Sequence, residues 1–164
     1  MHPNDVLRRL RYALDLRDAE VAALAATATG RHASPAQVSA WLRDEDHPDV
    51  RPCPPDFLAA VLDGLVLTRR GPRGDGPPPD APFDNNQVLR KLRIAFSLEA
   101  DDMLGIFALA SVPLSKGELS ALFRRRDQHN FRPCLDQLLR GFLAGLAIDL
   151  RGARRYVRDP APPA

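Results

Sequence analysis

NDVLRRLRYALDL, residues 4–16, returns as NQVLRKLRIAFSL at residues 86–98. Asn4, Val6, Leu7, Arg8, Leu10, Arg11, Ala13 and Leu16 recur as Asn86, Val88, Leu89, Arg90, Leu92, Arg93, Ala95 and Leu98, 8 identities in 13 positions at a shift of 82. Two further blocks follow in the same order. VSAWLRDED (38–46) returns as LSALFRRRD (119–127), and RPCPPDFLAAVLDGL (51–65) as RPCLDQLLRGFLAGL (132–146), both at a shift of 81. Three ordered blocks slipped by one residue are a duplication, so the fold question becomes the fold of one unit. Two copies are too few for a solenoid. Each is a small domain or half of one.

Apolar spacing predicts four short helices per copy. The first is expected to open at Asn4 or Asn86 as N-cap, with Val6, Leu7, Leu10, Ala13 and Leu14, or Val88, Leu89, Leu92, Ala95 and Phe96, facing inward. Arg8 and Arg11, like Arg90 and Arg93, then fall on the flank away from that stripe. The second opens at Asp18 or Asp101, with Val21, Leu24 and Ala25, or Leu104, Phe107 and Ala108, inward. The third has the clearest start: Ser34 as N-cap, Pro35 at the first position and Gln37 at the third, echoed by Ser115 and Glu118. Its buried set is Val38, Trp41 and Leu42, or Leu119, Leu122 and Phe123. The fourth runs from Pro55 to Thr68 and from Leu135 to Leu150, and carries Gly64 and Gly145 at matching places. A glycine repeated inside a helix predicts close backbone approach to a neighbour. No segment alternates with period two, so the expected class is all-α, a tandem duplication of a four-helix unit.

The expected organisation is a first repeat over 1–69, a Pro/Gly-rich linker over 70–84, a second repeat over 85–157 and a disordered tail over 158–164. Prolines without N–H groups and glycines of high backbone entropy make the linker a semi-stiff spacer. Of the 164 residues, 45% are hydrophobic and 27% charged, enough for a core and ordinary for a soluble chain. Cys53 and Cys134 stand 81 apart with no CxxC pattern. With no apparent leader and no apolar run of the roughly 20 residues a bilayer requires, that predicts a cytoplasmic protein with free thiols and no membrane partner. Charge is uneven. Residues 1–69 hold 8 basic and 10 acidic side chains, a net of −2, whereas residues 85–157 hold 12 and 7, a net of +5. The linker adds −1 and the tail 0, which recovers the overall +2.

The order of elements, with QVSAWLR on the third helix and a proline-containing turn before an apolar fourth, resembles lambda-repressor-type helix-turn-helix domains. That likeness implies a third helix whose first residues enter the DNA major groove. It covers about 65 residues of each copy. The chain departs from it at the turn, with TATGRHA in the first copy and ASVPLS, lacking glycine, in the second. A plain helical bundle uses the same apolar stripes. Over nearly the whole chain, NDVLRRLRYAL, WLRDED, NNQVLRKLRIAFSL and NFRPCLDQLLRGFLAGL resemble the YehS-type family of small bacterial cytoplasmic proteins. That family consists of two tandem copies of a domain of unknown function. The resemblance implies the duplication and supplies no activity or site residues.

Cys53 and Cys134, each after Arg-Pro, have His47 and His129 six and five residues upstream. A nucleophile needs a base and a lowered pKa, but a small buried residue at a helix entry satisfies the same pattern. Two separated Cys/His couples lack the four-ligand spacing of structural zinc, so no metal or cofactor is expected. Asp46 with Arg51, and Asp127 with Arg132, read as a turn satisfying its own polar groups. No phosphate-cradling Gly loop, GxSxG or HExxH is present, and no enzyme is expected.

The leading expectation is a binding protein that contacts DNA or RNA through the third helix and basic flank of the second repeat. Its candidate residues are Arg90, Lys91, Arg93, Lys116, Arg124, Arg125, Arg126 and Arg132, cations able to neutralise several phosphates. Arg124, Arg125 and Arg126 would also complement the dipole at that helix's end. At the equivalent place the first copy has Arg43, Asp44 and Glu45. The alternative is a protein–protein adaptor using the acidic first repeat or the groove between the repeats.

Overall fold

The computed structural model describes residues 1–72 and 83–158, the last six by backbone alone. Over these residues the chain is all-α. The helices are α1 (Pro3–Leu14), α2 (Asp18–Thr29), α3 (Pro35–Leu42), α4 (Pro55–Arg70), α5 (Asn85–Ala95), α6 (Ala100–Leu109), α7 (Lys116–Leu122) and α8 (Asp136–Arg158). Two similar four-helix repeats, α1–α4 and α5–α8, follow one another. Most of the expected linker and tail lies outside the described residues.

Local chemistry accounts for the helix ends. Ser34 Oγ accepts from Gln37 N–H and Gln37 Oε1 accepts from Ser34 N–H, at 3.2 and 2.9 Å. Ser115 and Glu118 repeat this box at 3.1 and 2.9 Å, so both third helices start where the sequence placed them. The first helices begin earlier than expected. Pro3 takes the first helical position after His2, and Asp84 caps α5 by accepting from Gln87 N–H at 2.9 Å. Asn4 and Asn86 are therefore not caps. They lie inside the first turn and are buried. On α6 the inward set is Met103, Ile106 and Phe107, while Ala108, expected inside, is exposed. α8 runs beyond Leu150 to Arg158.

The recurrent glycines mark the tightest contacts. A Cβ on Gly64 would stand 1.9 Å from the Leu24 carbonyl oxygen of α2, and one on Gly145 at 1.9 Å from the Ile106 oxygen of α6. Only hydrogen in place of a side chain lets α2 lie on α4 and α6 on α8 at this distance. Each repeat is built on that crossing.

The repeats also share a core. α1 packs along α8 and α5 packs along α4. Because α5 is the counterpart of α1, and α8 of α4, the two seams are reciprocal, as in a two-fold interface between identical subunits. Val6, Leu7 and Leu10 of α1 join one continuous buried cluster with Leu58 and Leu62 of α4, Leu89 and Leu92 of α5, and Leu139, Phe142 and Leu146 of α8. Apolar faces that would lie open on a lone repeat are closed by the other.

Candidate functional site

Both cysteines and most of the candidate cations lie on or beside the loop between the third and fourth helices of each repeat. Residues 43–51 and 124–132 have matching backbones. His47 N–H donates to Asp44 O at 3.0 Å and Gln128 N–H to Arg125 O at 3.0 Å. Val50 and Phe131 N–H groups donate to His47 and Gln128 oxygens at 3.0 and 3.2 Å, and those of Arg51 and Arg132 to Ala40 and Ala121 oxygens at 3.1 and 3.0 Å.

What holds each loop is the buried asparagine of the first helix. Asn4 Nδ2 donates to the carbonyls of Trp41 and Arg51 at 3.0 and 2.6 Å, and its Oδ1 accepts from Cys53 N–H at 2.7 Å. Asn86 does the same with Leu122, Arg132 and Cys134 at 2.9, 3.1 and 2.8 Å. One buried carboxamide thus pairs three main-chain groups at both ends of a loop. That explains why Asn and Arg-Pro-Cys recur together. The cysteines are free and buried. Burial first, and then the nearby charge of Asp56 at Cys53 and of Asp84 at Cys134, push each thiol up to about 12. At neutral pH both are protonated and poor nucleophiles. His47 Nδ1 accepts from Asp49 N–H, and no histidine lines the groove that Cys134 borders. Among the described residues, no three His, Cys, Asp or Glu side chains gather as metal ligands. None of the described helices is long and apolar enough to cross a membrane.

The eight candidate cations fall into two groups. Arg90, Lys91 and Arg93 are parts of the frame. Arg90 Nη2 donates to Phe123 O at 2.9 Å while its Nε is buried; Arg8 makes the matching bond to Arg43 O at 2.7 Å. Lys91 is paired with Asp63 of α4 across the seam and is only 14% exposed. Arg93 donates to Leu98 O at 3.2 Å and lies over the Phe123 ring at 4.6 Å. None of the three stands on a solvated flank, because the loop and the second seam enclose them.

The other five reach solvent. Arg125 is 73% exposed beside Asp127 at 3.5 Å. Arg126 is paired with Asp84 and lies 5.8 Å from the Phe131 ring centre. Arg124 Nη1 donates to His129 O at 2.8 Å, shaping the loop from outside. Arg132 is 3.3 Å from Glu118, not paired with Asp127, and so ties the loop to the first turn of α7. Lys116 opens α7 and is 3.4 Å from Asp101. α7 ends at Leu122 with Phe123 as its cap, so Arg124, Arg125 and Arg126 belong to the loop beyond the helix.

A second feature lies between the repeats, where the adaptor alternative expects a groove. A groove of ≈ 730 Å³ opens along the α1–α8 seam, lined by Arg9, Tyr12, Leu143, Ala144, Ala147, Ile148 and Arg151 among others. Its only signal in the sequence is divergence: Tyr12 and Ala144 stand where the other copy has Ile94 and Asp63.

Residues 3–71 and 85–152 each match the family described as "Protein of unknown function (DUF1456)". The chain is 39% identical over 160 residues to "Uncharacterized protein YehS" of Escherichia coli (strain K12), covering 96% of this chain and 99% of that one. No solved structure matches significantly.

Proposed function

The chain belongs to the DUF1456 family, and from that premise we propose that it works by binding, contacting nucleic acid through the 124–132 loop of its second repeat. One observation carries this reading: two loops of one shape bear opposite charge. Residues 43–51 hold two arginines and four acids, a net of −2, and residues 124–132 hold four arginines and one acid, a net of +3. The shared backbone bonds and the asparagine clasp make the loop, whichever charge it carries. Arg125 and Arg126, which stand where the first copy has Asp44 and Glu45, are thus not needed to form the loop.

Arg124, Arg125, Arg126 and Arg132 are the phosphate contacts in this reading, with Lys116 beside them on α7. Their present partners are the exposed carboxylates of Asp101, Glu118 and Asp127, the partly buried Asp84 and a carbonyl, and the exposed pairs are worth roughly 0–1 kcal/mol. A polyanion displaces them at little cost. Arg90, Lys91 and Arg93 act behind the loop, setting its position. Two buried free thiols accord with a cytoplasmic setting. The test is fluorescence anisotropy with labelled duplex DNA and structured RNA at two salt concentrations. Wild type is expected to bind with affinity that falls as salt rises. Replacing Arg124, Arg125 and Arg126 together by Ala should weaken binding and flatten the salt slope by about 0.9 per lost phosphate contact on duplex DNA. Absence of binding to either polymer at low salt overturns the reading.

A further inference from the structure

The two seams between the repeats are counterparts, yet one is closed and the other open. At the α4–α5 seam, Lys91 of α5 pairs with Asp63 of α4, and Ala28 and Thr29 from the last turn of α2 line what remains, a groove of ≈ 230 Å³. At the α1–α8 seam the same positions hold Arg9 and Ala144. With no carboxylate facing it across the seam, Arg9 turns back to Asp5 of its own helix at 3.0 Å. The covering turn is missing too. α2 has 12 residues and α6 has 10. The counterparts of Ala28 and Thr29 are Ala110, where α6 is capped, and Ser111, at a φ of 58° that no helix continues through. The chain turns away one half-turn early. No residue of α6 lines the resulting ≈ 730 Å³ groove.

That groove adjoins a second hollow of ≈ 550 Å³, and both are lined by Arg9 and Ala144. Together they run from Leu135, just before α8, along that helix to Arg151, about 24 Å at the rise of an α-helix. Among the described residues four large hydrophobic side chains are exposed, and three of them, Tyr12, Leu135 and Ile148, line this surface. Apolar groups gathered in this way mark an interaction site more often than chance exposure does. Five arginines border it, including Arg140 and Arg151, against Asp5 and Asp44. Arg151 also lies over the Tyr12 ring at 3.8 Å and donates to Tyr12 O at 3.1 Å, holding one wall.

We propose that the α1–α8 groove is a docking site for an acidic amphipathic helix of a protein partner. In the first repeat the corresponding position is covered by a helical turn of small side chains. The second repeat offers the same helix-lined trough without the turn, bordered by excess positive charge. A partner helix of about four turns fills the 24 Å length with its apolar face on Ala144, Ala147 and Ile148. Its acidic flanks meet Arg9, Arg140 and Arg151. Arg132 borders both this surface and the phosphate-contacting loop proposed above, but the docking contacts are Arg9, Arg140, Arg151 and the apolar face of α8, and the proposal does not depend on that loop.

The experiment is a selection from a displayed library of randomised 16-residue helical peptides against the immobilised full chain. Anisotropy of the selected peptides against wild type, Ile148→Glu and Arg151→Glu then follows. The selected sequences should converge on an apolar stripe flanked by Asp and Glu. Ile148→Glu, at a half-exposed position and with folding checked by circular dichroism, should weaken binding about tenfold or more, as at a central interface residue. Arg151→Glu should weaken it less and shift preference away from acidic flanks. Three results overturn the proposal: recovery of no peptide, recovery of basic or unpatterned peptides, or binding indifferent to Ile148→Glu. A dimer of the chain that Ile148→Glu disperses would instead assign the groove to a second copy. Loss of duplex DNA by the same variant, with no peptide selected, would assign it to nucleic acid.

Discussion

At the scale of single residues, Asn4 and Asn86 do the most for their size. Each is buried, and each pairs two carbonyls and one N–H from backbone that would otherwise be sealed from water unsatisfied. Replacing Asn86 by Ala removes one side chain and orphans three main-chain groups. An orphaned buried group costs about 1–3 kcal/mol, so the loss should be about 3 kcal/mol or more by urea unfolding. Asn4→Ala should match it, since the same clasp closes the acidic loop. The identity of these asparagines was legible as a recurrence. Their task was not, because an asparagine before an apolar run is most simply a cap, and only the fold brings a residue 49 positions away, Cys53, to its Oδ1. Burial and raised pKa values make Cys53 and Cys134 packing residues at a helix entry.

At the scale of elements, the glycines separate two kinds of helix position. Gly145 is in contact with the Ile106 backbone, whereas nothing lies within 4 Å of a Cβ built on Gly105. Gly145→Ala should destabilise by about 1–3 kcal/mol or more, since α6 and α8 must part to admit the methyl. Gly105→Ala should stabilise by up to about 1 kcal/mol through helix propensity alone. Thermal unfolding of the two variants side by side checks both signs. Gly64 and Gly145 could be picked out because the duplication repeats them and a helix gains nothing from glycine by itself. The inward face of α6 could not: Leu104 and Ala108 are spaced as well as Met103 and Ile106, and the crossing at Gly145 decides which set turns inward.

At the scale of the whole molecule, the reciprocal seams make the repeats halves of one core. A fragment of residues 1–72 leaves bare the faces of α1 and α4 that α8 and α5 cover. It should show no cooperative unfolding transition as a monomer. It should either pair with itself, α1 on α4 in both directions, or regain folding when residues 83–158 are added. Sedimentation and denaturant titration of the fragment, alone and mixed, distinguish these from a repeat that folds independently. The full chain should unfold in one transition.

The sequence by itself determined the duplication, the all-α class, the third-helix boxes, the glycine crossings and the charge difference between the copies. These are local or periodic properties: a cap needs four residues, a stripe needs two turns, and a repeat needs only its own copy for comparison. Tertiary structure decided which cations reach solvent and which are frame. Arg90, Lys91 and Arg93 read as a basic flank along the chain, but packing commits them to Phe123, Asp63 and Leu98. It also decided that one seam is shut and the other open. Ala144 in place of Asp63 and a second helix two residues shorter are small differences in the letters. They acquire consequence only where α1 meets α8, because a groove is a relation between surfaces that lie far apart in the chain.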